Sequence, residues 1–156
     1  MNYRISAALN VLKIAVLSSA VAGPLLAADF KTGLDAFNAK DFASALDEWL
    51  PLAEDGDLNA MYNVALIYDE GLAGPVDKVK AIKWYLEPAN RGDVTAQFNL
   101  AIIYDYGQGV AEDNEAAIKW YRAAARQADE QAQYNLGVMY GSGEGVAVDY
   151  AESIRW

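Results

Sequence analysis

The sequence contains no cysteine and no histidine. Without cysteine the chain can form no disulfide and carries no lipid-modified cysteine, so packing alone must hold the fold together. Without either residue, no metal site can be built on imidazole or thiolate, and no nucleophile–histidine pair can exist. These absences exclude most hydrolase chemistries, and we predict neither a metal nor another cofactor.

A long apolar run is also missing. Residues 1–28 carry two bases, Arg4 and Lys13, and no acid, followed by an apolar stretch over 14–22 and small residues at Ala27 and Ala28. This is the three-part pattern of a secretory signal peptide. Its apolar stretch is about half of the ~20 residues that cross a bilayer. We therefore expect cleavage after Ala27 or Ala28, a periplasmic or secreted protein, and no stable membrane span after cleavage.

Basic residues are scarce in the remaining chain. Residues 29–156 hold all 22 acids but only ten of the 12 bases, which gives a net charge of −12. Nucleic acid requires clustered lysine and arginine for its phosphates, so it is excluded as a partner. A basic or neutral partner fits this surface better.

The same residues return every 36 positions. Laying 60–95 over 96–131 without a gap gives 15 identities in 36 positions, and this self-similarity is the sequence signature of a repeat architecture. The register also extends backwards, from Asp41 to Gly56. The recurring residues include Ala60, Ala96 and Ala132; Asn63, Asn99 and Asn135; Tyr68, Tyr104 and Tyr140; Gly71, Gly107 and Gly143; Trp84, Trp120 and Trp156.

Each unit contains two helical patterns. Ala96, Leu100 and Tyr104 lie on one face of a first helix, helix A, which ends near Gly107. An aspartate then opens a second amphipathic helix, helix B, at Asp41, Asp77, Asp113 and Asp149. Such short pairs bury their apolar faces only by stacking. The predicted fold is an all-α, αα-hairpin solenoid over 29–156, with repeats at 29–59 (partial), 60–95, 96–131 and 132–156 (truncated).

One unit of this chain resembles the Sel-one-like repeat (SLR), a relative of the tetratricopeptide repeat. The resemblance lies in three segments: Ala96-Gln97-Phe98-Asn99-Leu100-Ala101, Gly107-Gln108-Gly109-Val110 and Trp120-Tyr121-Arg122-Ala123-Ala124. The resemblance implies a right-handed superhelix that serves as an adaptor in envelope signalling, envelope assembly or host interaction. Some members carry a cysteine pair in every repeat and are linked to β-lactam binding, and this chain lacks those cysteines. The last unit stops at Trp156, so we expect either a shortened product or an open end packed on another element.

The predicted partner-binding surface follows from the helix A residues that remain once the core face is assigned. A 100° step per residue puts them on the side away from helix B, which the resemblance places in a concave groove. The alternative is that these residues pack between neighbouring repeats. The predicted stripe consists of Tyr62, Asn63, Leu66, Asp69, Phe98, Asn99, Ile102, Asp105, Tyr106, Tyr134, Asn135 and Val138.

Function is predicted as non-catalytic. We find no Ser-x-x-Lys or Gly-x-Ser-x-Gly element, no calcium-loop spacing, and glycine loops that follow helices rather than strands. Trp84, Trp120 and Trp156 are expected in the core. The predicted function is an exported adaptor or regulator that binds a protein or peptide in its groove. The alternatives are a cell-wall-active enzyme, acting on peptidoglycan or a β-lactam, and a secreted host-directed effector; the oligomeric state is not predicted.

Overall fold

The computed structural model describes residues 28–156, and within this range it contains eight α-helices and no strand. The predicted signal peptide lies almost entirely outside the described residues. Helix A of the three 36-residue repeats is α3, α5 and α7, and helix B is α4, α6 and α8, so the predicted all-α fold of paired helices is confirmed. The helices are α1 (Phe30–Asn38), α2 (Phe42–Glu54), α3 (Leu58–Glu70), α4 (Lys78–Asn90), α5 (Val94–Tyr106), α6 (Asn114–Ala125), α7 (Glu130–Ser142) and α8 (Tyr150–Arg155).

Aspartate side chains begin the B helices, as predicted. Asp113 accepts a hydrogen bond from the Ala116 backbone N–H at 2.9 Å. The hydroxyl and then the backbone N–H of Ser44 donate to Asp41 and hold the pKa of that carboxyl below its ordinary value. Similarly, the Lys80 backbone N–H lowers the pKa of Asp77. These bonds satisfy amides that have no partner within the first helical turn.

The A helices use the same device, although the sequence analysis did not single it out. They begin after Asp57, Asp93 and Asp129, which are also spaced by 36 residues. Asp93, for example, accepts from the Ala96 backbone N–H at 2.8 Å. Two series of aspartates, one before the A helices and one before the B helices, therefore set where the helices start. This capping role explains part of the acidic composition without a bound ligand.

The turn from helix B to the next helix A requires a positive φ. Gly56 and Gly92 adopt φ of 97° and 94°, and Ala128 takes the equivalent place with φ of 64°. A left-handed conformation costs an L-residue roughly 1–2 kcal/mol because its Cβ crowds the backbone. In the 36-residue register Ala128 stands where the two preceding helix pairs have glycine, so the strain falls on an alanine.

The described residues divide into two compact units, 28–87 and 88–156, and the division falls at a position of the sequence within α4. In the first unit the core centres on Trp49, which is fully buried with Ala45 and Ala53. The Trp49 Nε1–H donates to the Phe30 carbonyl at 3.1 Å. Gly33 lies so close to the indole that a Cβ there would collide with it. This contact fixes α1 against α2.

In the second unit, glutamines join successive helix pairs. The Gln97 side-chain amide donates to the Ala89 carbonyl at 2.9 Å, and 36 residues later Gln133 donates to the Ala125 carbonyl at 3.1 Å. Each bond ties the start of a helix A to the end of the preceding helix B. Because carbonyls at a helix end lack an intrahelical partner, these bonds also satisfy buried polar groups.

The tryptophans of helix B differ in burial. Trp120 is buried, whereas Trp84 and Trp156 are half-buried. The preceding basic side chain lies over each ring, with Lys119 Nζ 4.5 Å from the centroid of Trp120. This cation–π arrangement covers the outer face of the indole. In the described part of the chain, every helix is too short or too polar to cross a bilayer.

Candidate partner-binding site

Helix α5 is enclosed on nearly all sides, which the sequence analysis gave only as the alternative to an accessible stripe. Nine of the 13 residues of α5 are buried, and Asp105 is its only charged residue. A helix that is apolar all round belongs in a core rather than on a surface. The near-absence of charged residues in this segment is the sequence feature from which the burial of α5 could have been predicted. The buried residues of α5 are Ala96, Gln97, Phe98, Asn99, Leu100, Ala101, Ile102, Ile103 and Asp105.

Two residues assigned to the side away from helix B in fact face it. The ring of Phe98 lies 5.8 Å from the ring of Tyr121 on α6, centroid to centroid. The Tyr121 hydroxyl donates to Asp105 Oδ2 at 3.1 Å. The assignment of Phe98 and Asp105 to a solvent-facing side is therefore wrong. Helix B supplies a long aromatic residue, Tyr121, that reaches past the small residues to the flank of helix A.

The same contact recurs one repeat earlier, within the first unit. Tyr62 of α3 packs on Tyr85 of α4, with ring centroids 5.6 Å apart. Asp69 accepts from the Tyr85 hydroxyl at 3.5 Å and from the Lys78 ammonium at 2.7 Å. The Asp69–Lys78 pair is largely buried. A charged side chain so placed is paired rather than presented to a ligand, so this end of the stripe is structural.

Burial separates the twelve predicted residues into two groups. Asn63 and Asn135 are fully buried, and their amide atoms have no hydrogen-bond partner among residues 28–156. A partner cannot contact a buried residue directly, so for these positions the predicted stripe is not an accessible surface in this structure. The buried group is Tyr62, Asn63, Leu66, Asp69, Phe98, Asn99, Ile102, Asp105 and Asn135.

The accessible group is Tyr106, Tyr134 and Val138, all in the second unit. Tyr106 is 38% exposed and Tyr134 is 44% exposed, while Val138 is half-buried. The equivalents of Tyr134 and Val138 one repeat earlier, Phe98 and Ile102, are buried. The predicted stripe therefore reaches the surface mainly at α7. Its role in partner binding stays a prediction.

Tyr134 and Val138 line an open groove of about 380 Å³ between α7 and α8, here called the α7–α8 groove. Gly137 and Gly141 line it from α7, Ser153 lines it from α8, and Trp156 lines it from the residue directly after α8. The Ser153 hydroxyl donates to the Gly137 carbonyl at 2.7 Å. A Cβ at either glycine would lie 3.0 Å from an oxygen of Ser153, so the glycines allow this close approach.

Sequence reasoning missed this groove, although the repeat register carried a signal for it. Gly137 and Gly141 stand where the preceding repeat has Ala101 and Asp105. Replacing a methyl group and a carboxylate by hydrogen removes the side chains that would otherwise fill the space. Glu130 and the amide of Gln133 complete the rim, so the groove combines aromatic, small and acidic surface.

No three side chains of aspartate or glutamate come together as a metal site within 28–156. Asp69 and Asp105, the buried carboxylates, are held by the tyrosines described above. The arrangement favours binding through shape, aromatic contact and negative charge.

Comparisons with known proteins agree with this geometry. The Sel1 repeat family matches three successive segments, 58–93, 94–129 and 130–156, which together span more than half of the chain. No curated protein has a matching sequence.

Two solved structures are similar. A Sel1 repeat protein from Oxalobacter formigenes is 34% identical with a TM-score of 0.71, over 82% of this chain and 52% of that one. A protective antigen present in uropathogenic Escherichia coli strains, displaying an SLR fold, is 38% identical with a TM-score of 0.65, over 71% of this chain and 24% of that one. The sequence spans about half of the first protein and a quarter of the second.

Sel1 repeats are generally protein-interaction modules and are typically non-catalytic. The family match and both structural similarities rest on the repeated helix pairs described above. The chain belongs to the Sel1 repeat family.

Proposed function

We propose that this protein is an exported, non-catalytic adaptor or regulator of the bacterial envelope that binds a protein or peptide. The observation that carries the proposal is the α7–α8 groove, where two residues of the predicted stripe, Tyr134 and Val138, are accessible. Aromatic side chains provide a large contact area at low cost in conformational entropy.

The charge supports a basic or neutral partner. With its predicted signal peptide removed the chain has a net charge of −12, and Glu130 lies at the rim of the groove. Complementary charge speeds encounter and selects among partners more than it raises affinity. We therefore expect association to slow as salt concentration rises.

Crosslinking in the cell tests this proposal. A photoreactive amino acid replaces Tyr134 in one variant and the exposed Val79 of the other unit in a control. We expect one identified protein to be crosslinked from position 134 and not from 79. The purified partner should bind the unmodified protein and lose at least tenfold in affinity for Tyr134→Ser. Equal crosslinking from both positions, or unchanged affinity, would contradict the proposal.

Export is tested separately. We expect the protein in the periplasmic fraction with an N-terminus at Ala28 or Asp29. Recovery of the chain with Met1 intact would refute cleavage.

A further inference from the structure

We infer that two copies of this chain associate through the outer face of α4 in an antiparallel, two-fold arrangement. This α4 face consists of Val79, Lys83 and Leu86, which follow one another at intervals of four and three residues and so lie on one side of the helix. The opposite side belongs to the core, because Ala81 and Tyr85 are fully buried. The inference is independent of the α7–α8 groove and goes beyond the proposed function.

The α4 face carries aliphatic side chains that packing within the chain does not require. Val79 is 62% exposed and Leu86 is 37% exposed. The 36-residue register has Glu115 and Arg122 at the same two positions of the next helix B. Since the fold accepts charged residues at these positions, the two aliphatic side chains call for a contact outside the chain.

The charges beside the α4 face differ from the next repeat in the opposite sense. Lys80 and Glu87 lie on one flank of the face, two helical turns apart. Helix α6 has Ala116 and Ala123 at these positions. The Lys80 ammonium lies 3.3 Å from Asp77 Oδ2 in an exposed pair, and such pairs are weak. Lys80 can therefore bind a second carboxylate, and the flank carries one positive and one negative charge.

These positions are self-complementary about Lys83. The midpoint between Val79 and Leu86 lies within half a residue of it, and the midpoint of Lys80 and Glu87 lies equally close. A two-fold axis at Lys83 therefore sets Val79 of one copy against Leu86 of the other. It also sets Lys80 against Glu87, and each contact forms twice. A second copy thus supplies the apolar, basic and acidic groups in the order that the face requires.

The association should be weak. One helix pair buries less than a standard interface, so we expect a reversible dimer with a dissociation constant of about 10 µM to about 1 mM. The net charge of −12 on each copy without its predicted signal peptide opposes encounter until salt screens it. The two Lys83 side chains also repel near the axis, although each ammonium lies over Trp84 of its own helix, 4.7 Å from the ring centroid.

Sedimentation velocity of the purified protein over that range of concentration tests the inference. We expect the sedimentation coefficient to rise with concentration, and Val79→Glu to raise the dissociation constant at least tenfold. Leu58→Glu is the matched control, because it adds the same charge at an exposed leucine on α3, and should change the constant less than twofold. The register has glutamate at both positions in other repeats, at 115 and 130, so both variants should fold. A wild-type chain that stays monomeric, or equal effects of the two variants, would overturn the inference.

An exchange of charges tests the two-fold arrangement. Lys80→Glu and Glu87→Lys should each raise the dissociation constant at least threefold, because each brings like charges together twice in the dimer. The double variant restores both pairs of opposite charge and should return to within twofold of the wild type. A double variant that associates no better than the single variants would contradict the antiparallel pairing.

The absence of cysteine allows a positional test, since a single introduced cysteine can form a disulfide only with another copy. Lys83→Cys places the two sulfurs next to the axis. Val79→Cys places them about eight residues, or roughly 12 Å, apart along the antiparallel helices, which is beyond the reach of a disulfide. Under mild oxidation, Lys83→Cys should form the linked dimer at least tenfold faster than Val79→Cys. Equal rates would indicate random collision and would refute the axis.

Crosslinking in the cell separates this inference from the proposed function. A photoreactive amino acid at position 79 should capture a second copy of the chain, whereas position 134 should capture the partner of the proposed function. Capture of a different protein from position 79, without a second copy, would overturn the inference. Loss of the dimer would leave partner binding at Tyr134 unchanged, so the two proposals fail separately.

Discussion

Removing one hydroxyl at Tyr121 tests how the repeat holds its buried aspartate. Tyr121→Phe keeps the ring against Phe98 and removes the donor that lies 3.1 Å from Asp105 Oδ2. Leaving a buried acceptor with one bond fewer costs about 1–3 kcal/mol, and charged acceptors lie toward the upper end. We therefore expect Tyr121→Phe to lower the free energy of unfolding by about 2 kcal/mol, although only one oxygen atom is lost.

The repeat offers a matched control. Tyr85→Phe removes the equivalent hydroxyl, but that bond is longer, at 3.5 Å, and Asp69 keeps the Lys78 ammonium at 2.7 Å. The loss should therefore be smaller, below about 1 kcal/mol. Urea unfolding followed by circular dichroism measures both variants, and an unchanged dependence on urea concentration shows that the folded and unfolded states are still comparable. Equal losses, or a larger loss for Tyr85→Phe, would refute the reasoning.

Three further predictions concern stability. Ala128→Gly should raise the free energy of unfolding by about 0.5–1 kcal/mol in the urea assay, because it relieves a φ of 64°. Trp120→Ala should lower it by about 3–5 kcal/mol through loss of a buried ring, and a loss below about 1 kcal/mol would place Trp120 outside the core. The wild-type melting temperature should fall as the pH drops from about 5 to below 3, since the lowered pKa of Asp41 stabilises the fold above its unfolded pKa and that stabilisation is lost as the carboxyl protonates. Asp41→Asn keeps a capping side chain that does not titrate, so it should weaken this pH dependence; an unchanged profile would contradict the assignment.

Much of the fold could be predicted because it depends on local, repeated signals. Asp113 opens α6 and Gly107 ends α5 through backbone hydrogen bonds that each residue type forms with its own neighbours. Such signals need no knowledge of the rest of the chain. The 36-residue register repeats each local signal in three units. This repetition removes most of the ambiguity in assigning the ends of a single helix.

The candidate site could not be predicted equally well, because burial depends on contacts between helices. The sequence analysis divided helix A into a core face toward helix B and an outer face away from it. Phe98 and Asp105 were assigned to the outer face. In the structure, Tyr121 reaches from α6 to both residues, so the outer side is also core. A helical step of 100° places residues around one axis, but the direction and length of a neighbour's side chain decide which of them are covered.

The burial of helix A constrains where this protein can bind a partner. Recognition through the asparagine positions would require opening the helix pairs, since Asn63 and Asn135 are fully buried. Opening them would also expose the rings of Tyr85 and Tyr121 and break their bonds to aspartate, which costs several kcal/mol by the magnitudes above. A partner that contacts Tyr134 and Val138 avoids this cost, because the α7–α8 groove is already open. Binding to a preformed surface is favoured over binding that requires rearrangement, so our proposal for partner binding rests on the groove rather than on the length of helix A.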